Sequence, residues 1–255
     1  MAESGESGVL QGKIALITGA GRNIGRAIAE RLAADGASII VNGRSDRAAV
    51  EEVVGTIVAG GGKAMAAMGD VAEPEVVPRM VDKAADAMGG IDILVSNAGL
   101  RRQTSFVEMS FAEWREILSV ALDGAFLMAK ACVPHMIRRG GGAIVALSGS
   151  STHIGTPRRC HVSASKSGLE GLMRALAIEL APHRITCNAI APGMIDTVRG
   201  ASAGPRPEQS SDDRIPLLRK GTVAEIAAMA RLLVGPDGKY ITGQTIHVNG
   251  GAFLT

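Results

Sequence analysis

The feature that most constrains this chain is an alternation: short runs of Ile, Val, Leu and Ala recur between longer stretches of helical period. The runs at 14–18, 38–42, 64–68, 91–96, 143–148, 185–191 and 245–248 are apolar on successive residues, the pattern of strands buried on both faces. Helical stretches near 24–35, 46–59, 74–88, 111–138, 161–181 and 223–234 lie between most of them. Strands that alternate with helices make a parallel sheet, and right-handed crossovers place helices on both of its faces. The expectation is a single α/β domain on a doubly wound parallel sheet of about seven strands. With 255 residues, 46% of them hydrophobic, the chain can bury one such core. Ser110 to Glu113 and Thr222 to Glu225 read as capping boxes that mark two helix starts. No linker or internal repeat divides the chain.

Charge and cysteine content exclude several function classes. Lys plus Arg number 27 against 25 Asp plus Glu, so the net charge of +2 lacks the basic field of a nucleic-acid binder. Cys132, Cys160 and Cys187 show neither metal-ligand spacing nor a disulfide framework, which predicts no metal and a reducing compartment. Residues 1–11 are expected to be a disordered tail rather than a signal peptide, and 12–255 the domain. No apolar run suffices to cross a bilayer, so the expectation is a soluble, cytoplasmic protein without membrane contact. The stretch 193–216 lacks periodicity and reads as a mobile lid over a substrate site.

The first strand runs into Thr18-Gly19-Ala20-Gly21-Arg22-Asn23-Ile24-Gly25 and then a helix. Glycines let the backbone approach a pyrophosphate, and the helix aims free N–H groups at that anion: a Rossmann-like turn. The second strand ends in Val41-Asn42-Gly43-Arg44. An acidic residue there would bind a ribose and repel a 2′-phosphate, whereas the Arg44 guanidinium suits the phosphate, and Arg22 could reach it too. NADP(H) is therefore expected over NAD(H). Asp70-Val71 follows the third strand. Asp70 and Glu73 could form a capping box, but Pro74 favours a first helical position, which makes Glu73 the cap and frees Asp70 for adenine.

With Asn97-Ala98-Gly99, Ser163-Ala164-Ser165-Lys166, Asn188 to Gly193 with Thr197, and Val248 to Gly251, the chain resembles the short-chain dehydrogenase/reductase family over residues 12–251. It is most similar to the branch of 3-oxoacyl-acyl-carrier-protein reductases. The resemblance implies hydride transfer between a nicotinamide and a carbonyl or alcohol. It places cofactor contacts at Gly19, Gly21, Arg22, Asn23, Ile24, Gly25, Asn42, Arg44, Asp70, Val71, Asn97, Ala98, Gly99, Lys166, Pro192, Gly193, Ile195 and Thr197. It also implies dimers or tetramers packed through the 111–138 and 161–181 helices. Asn23 stands where the family has Gly, and Asn tolerates left-handed backbone.

The family's proton chemistry is where the match fails. Four residues before Lys166, where the family has Tyr, stands Val162, and the chain's one tyrosine is Tyr240. Gly149 takes the place of the family's Ser and Ala121 that of its Asn. Candidate replacements are His161 or His153 for the proton, Ser148 or Ser150 for the substrate oxygen, and Lys166 itself if desolvation depresses its pKa. Arg101, Arg102, Arg158, Arg159 and Arg199 would favour an anionic or carrier-linked ligand if they converge. Two other readings stay open: a catalytically silent NADP(H)-binding sensor or oligomer partner, and non-redox elimination in the same pocket.

Overall fold

A computed structural model describes residues 8–198 and 215–254. Its strands are β1 (Ile14–Ile17), β2 (Ser38–Gly43), β3 (Ala64–Met68), β4 (Ile93–Ser96), β5 (Gly142–Leu147), β6 (Ile185–Pro192) and β7 (Thr245–Val248). They form one sheet in the order β3-β2-β1-β4-β5-β6-β7, and every pair is parallel. The helices are α1 (Asn23–Ala34), α2 (Arg47–Ala59), α3 (Val76–Met88), α4 (Phe111–Leu118), α5 (Gly124–Arg138), α6 (Ser151–Ile154), α7 (Cys160–Leu180) and α8 (Val223–Val234).

Alternate side chains of the fully buried β1 divide between two cores. Leu16 joins Leu94, Val81, Met128 and Leu169 on one face of the sheet. Ile17 joins Ile28, Leu32, Val41 and Ile226 on the other. Each such side chain contributes about 1.5–3 kcal/mol on burial. The strand order reverses between β1 and β4, and there the crossovers leave a crevice at the carboxyl ends of the strands.

Helix starts follow local chemistry. Thr222 and Glu225 form a complete capping box on α8. Ser110 caps α4 by accepting from Glu113 N, but the Glu113 carboxylate instead accepts from Thr104 Oγ1 at 2.6 Å, so that box is half formed. The Glu73 cap with Pro74 at the first helical position is corrected: α3 begins at Val76, and Asp70 Oδ1 accepts from Ala72 N at 3.0 Å within the preceding turn.

Two other boundaries differ from expectation. The 111–138 helix is interrupted by a π-helical stretch, Ser119–Asp123. This wider turn buries Val120 and Ala121 and delivers Gly124 onto Val71, whose Cγ2 lies 2.8 Å from where Gly124 would carry a Cβ. Residues 8–11, expected in the disordered tail, are packed: Leu10 is 2% exposed and its N–H donates to Asp35 O at 2.8 Å. Residues 1–7 lie outside the described residues, as does most of the expected lid.

Candidate functional site

The crevice is built from the ends of β1, β2 and β4. After β1 the chain turns through Gly19 at φ +60° and Asn23 at φ +51°, left-handed backbone that Gly and Asn adopt at least cost. Gly25 lets α1 approach: a Cβ there would lie 2.6 Å from Asn97 Nδ2 and 2.7 Å from Gly19 O. Helix α1 has no side-chain cap, so its first amides remain available to an anion.

Polar side chains hold this turn. Asn97 Nδ2 donates to the carbonyls of Thr18 at 2.9 Å and Gly19 at 3.1 Å, while Asn97 N and Ala98 N donate to Thr18 Oγ1. Asn42, 1% exposed, donates to Ala67 O at 2.9 Å and Gly69 O at 3.2 Å and accepts from Gly19 N at 3.4 Å. Asn42 and Asn97 thus position the turn through their side chains. Asn23 clamps the chain beyond β6: its side chain donates to Val198 O at 2.9 Å and accepts from Val198 N at 3.0 Å.

The cleft so formed has a volume of about 510 Å³. Gly19, Gly21, Arg22, Asn23, Ile24, Gly25, Asn42, Arg44, Asp70, Val71, Asn97, Ala98, Gly99 and Thr197 all line it. Arg44 follows the end of β2, its side chain 55% exposed and its guanidinium 3.7 Å from Asp70. Arg101, named in the sequence among the arginines expected near a ligand, also lines the cleft, whereas Ser45 and Asp46 line it and were missed, although they directly follow the Arg44 that was singled out. Pro192, Gly193 and Ile195 lie past the cleft lining: Pro192 pairs with Val248, Gly193 N donates to Val248 O, and Ile195 bridges to Gly221.

Lys166 rises from α7 beside Gly99, its Nζ 3.6 Å from where that glycine would carry a Cβ, and donates to Leu147 O. Burial pushes its pKa down from 10.5 to about 7; nearby Arg101 adds to the fall and Glu170 opposes it. Val162, one turn earlier, is buried at 7% exposure.

The other candidates are placed less favourably. His161 is sealed in the wall between α4 and α7 at 0% exposure, its Nε2 3.4 Å from Glu113 Oε1, which leaves it no path to a substrate oxygen. His153 Nε2 lies 3.1 Å from Glu170, with its ring packed on His247 and Phe253. Ser148 donates its hydroxyl to Glu170, and Ser150 donates to Ala191 O at 3.2 Å. The sequence reading passed over Ser151, whose Oγ lies 3.8 Å from where Gly149 would carry a Cβ.

The arginines take different places. Arg101 lines the cleft, Arg102 forms a two-point pair with Glu116, and Arg158 is exposed at φ +63°. Arg159 lies at the start of α7 and Arg199 outside the described residues.

A parallel sheet with a glycine turn at its switch point defines a dinucleotide-binding α/β protein. A family model described as "Enoyl-(Acyl carrier protein) reductase" matches residues 19–252. The 3-oxoacyl-[acyl-carrier-protein] reductase FabG of Aquifex aeolicus is 38% identical over 247 residues, spanning 96% of this chain and 98% of that protein. A short chain dehydrogenase from Burkholderia cenocepacia J2315, solved in complex with NADP, superposes with a TM-score of 0.88 at 35% identity, covering 95% of this chain and 98% of that one. A blue fluorescent protein from a metagenomic library, in complex with NADPH, gives 0.89 at 33% identity, covering 96% and 99%. The chain belongs to the short-chain dehydrogenase/reductase family of oxidoreductases.

Proposed function

We propose that this chain is an NADP(H)-dependent oxidoreductase that interconverts a carbonyl and an alcohol, with Lys166 as its proton donor. The observation that carries this reading is a cleft lined by the glycine turn, Arg44, Arg101 and Gly99, with the Lys166 amine 3.6 Å from where Gly99 would carry a Cβ. The cradle fits the cofactor: Gly19 turns at φ +60°, Gly25 leaves no room for a side chain, and Arg44 and Arg22 offer cationic donors where an acidic residue would repel a 2′-phosphate.

When bound, NADPH supplies the hydride that reduces a carbonyl carbon. Lys166 donates the proton to the developing alkoxide, and an amine that titrates near neutrality is poised to give and regain it. Ser151 holds the substrate oxygen in the space that Gly149 leaves empty. Val162 makes the pocket wall apolar and excludes water. Arg101 favours an anionic or carrier-linked substrate, in keeping with the acyl-carrier-protein named for the Aquifex relative.

Exposed apolar side chains on α5 (Phe126, Ile137) and α7 (Ile178) support a dimer or tetramer through these helices. Helix Phe111–Arg138 is apolar enough to cross a membrane, yet Ile117, Met128, Cys132 and Met136 are built into the core, which supports a soluble protein.

Consumption of NADPH with a panel of 3-oxoacyl and smaller keto compounds tests the reading. Turnover is expected, with a loss of about 100-fold or more in Lys166→Met. A silent cofactor-binding protein is the second reading, favoured by the engagement of both Ser148 and Ser150 elsewhere. It prevails if the cofactor binds, no substrate turns over, and Val162→Tyr creates activity.

A further inference from the structure

One helical turn beyond Lys166, α7 buries a second ionisable side chain. Glu170 is 5% exposed and shares a helix face with Lys166, because residues four apart lie one above the other. Strand β5 engages both: the Leu147 carbonyl accepts from Lys166 Nζ, and the next residue, Ser148, donates its hydroxyl to Glu170 Oε1. His153 Nε2 lies 3.1 Å from the same carboxylate oxygen.

Three rings gather near this carboxylate. From α6 comes His153, and from β7 comes His247, whose ring centroid is 4.6 Å from that of His153. Phe253 stacks on His153 at 5.1 Å. Burial pushes the His247 pKa down, and the adjacent His153 pushes it further. Toward Lys166 the facing charges are Glu170 on its own helix and Arg101 on the segment after β4. A buried acidic side chain is costly unless paired, and Ser148, His153 and the Lys166 charge are what this site provides.

We propose that Glu170 is a positioning residue for the proton chemistry: its charge, set against that of Arg101, fixes the ionisation of Lys166, and Ser148 and His153 hold the carboxylate in place. The proposal rests on Lys166 being the proton donor, but its test reads the lysine directly. Removing the Glu170 charge leaves burial and Arg101 unopposed, so the lysine loses its proton at lower pH. Removing the Arg101 charge has the opposite sign.

The experiment is a pH titration of the Lys166 Cε carbon resonance in the full chain, assigned by its loss in Lys166→Arg, beside the pH profile of NADPH-dependent turnover. Glu170→Gln is expected to lower the titration midpoint by about one unit and Arg101→Gln to raise it. The alkaline limb of the rate profile follows in each case. A folded Glu170→Gln with an unchanged midpoint overturns the proposal. Should that variant not fold, Glu170→Asp, which withdraws the charge by one methylene, is expected to shift the midpoint in the same direction, and no shift overturns the proposal equally. A midpoint that moves while the rate limb stays fixed shows that Glu170 sets the Lys166 ionisation but removes Lys166 as proton donor, and with it the role of Glu170 in the proton chemistry.

Discussion

At the scale of single residues, the site turns on a lysine held away from water. Its pKa falls from 10.5 to about 7, so across that window the unfolded chain binds a proton that the folded chain lacks. Stability therefore rises with pH from about 7 toward 10.5, and the cost of charging the buried amine is fully present below about 7. Lys166→Met carries no such cost. Its melting temperature relative to the parent is predicted to be highest at and below pH 7 and to decline as the pH approaches 10.5. A difference independent of pH, measured by calorimetry, contradicts the assignment. Lys166 was singled out because Ser163-Ala164-Ser165-Lys166 resembles the family's segment. The roles of Ser148 and Ser150 were not legible, because a hydroxyl's direction depends on partners far along the chain: Glu170, 22 residues on, and the Ala191 carbonyl, 41 residues on. Ser151 was overlooked although only Ser150 separates it from Gly149, since the direction of its hydroxyl depends on the backbone turn into α6.

At the scale of elements, helices with strong caps were read to the residue, and those held by tertiary contacts were not. Helix α8 was expected at 223–234 and runs Val223–Val234, because Thr222 and Glu225 satisfy each other's backbone amides. Thr222→Ala is predicted to cost about 1 kcal/mol and to lower the melting temperature by about 2–4 °C. No loss on thermal denaturation would mean the box contributes nothing. Helical periodicity could not reveal the break at Ser119–Asp123, where a π turn is sustained by packing of Gly124 on Val71 rather than by a breaking residue. Pro74 misled because the chain takes another turn, Asp70 to Glu73, before α3 begins. Each of these departures borders the cleft, where local preference gives way to the shape of the site.

At the scale of the molecule, the alternation of apolar runs and helical stretches was enough to yield the seven-stranded parallel sheet, since few topologies satisfy right-handed crossovers. The order β2-β1-β4 then dictates where a ligand lies, and the glycine turn, Asn42 and Asn97 shape that place. The account depends on this crevice accepting a phosphorylated dinucleotide, and on Arg44 as the group that selects it. Titration of NADPH and NADH into the purified full chain, followed by nicotinamide fluorescence with Arg44→Ala alongside, tests this most directly. The account predicts that NADPH binds more tightly than NADH and that Arg44→Ala costs about tenfold or more for NADPH alone. Equal losses for the two dinucleotides, or no NADPH binding at millimolar concentration, would contradict it.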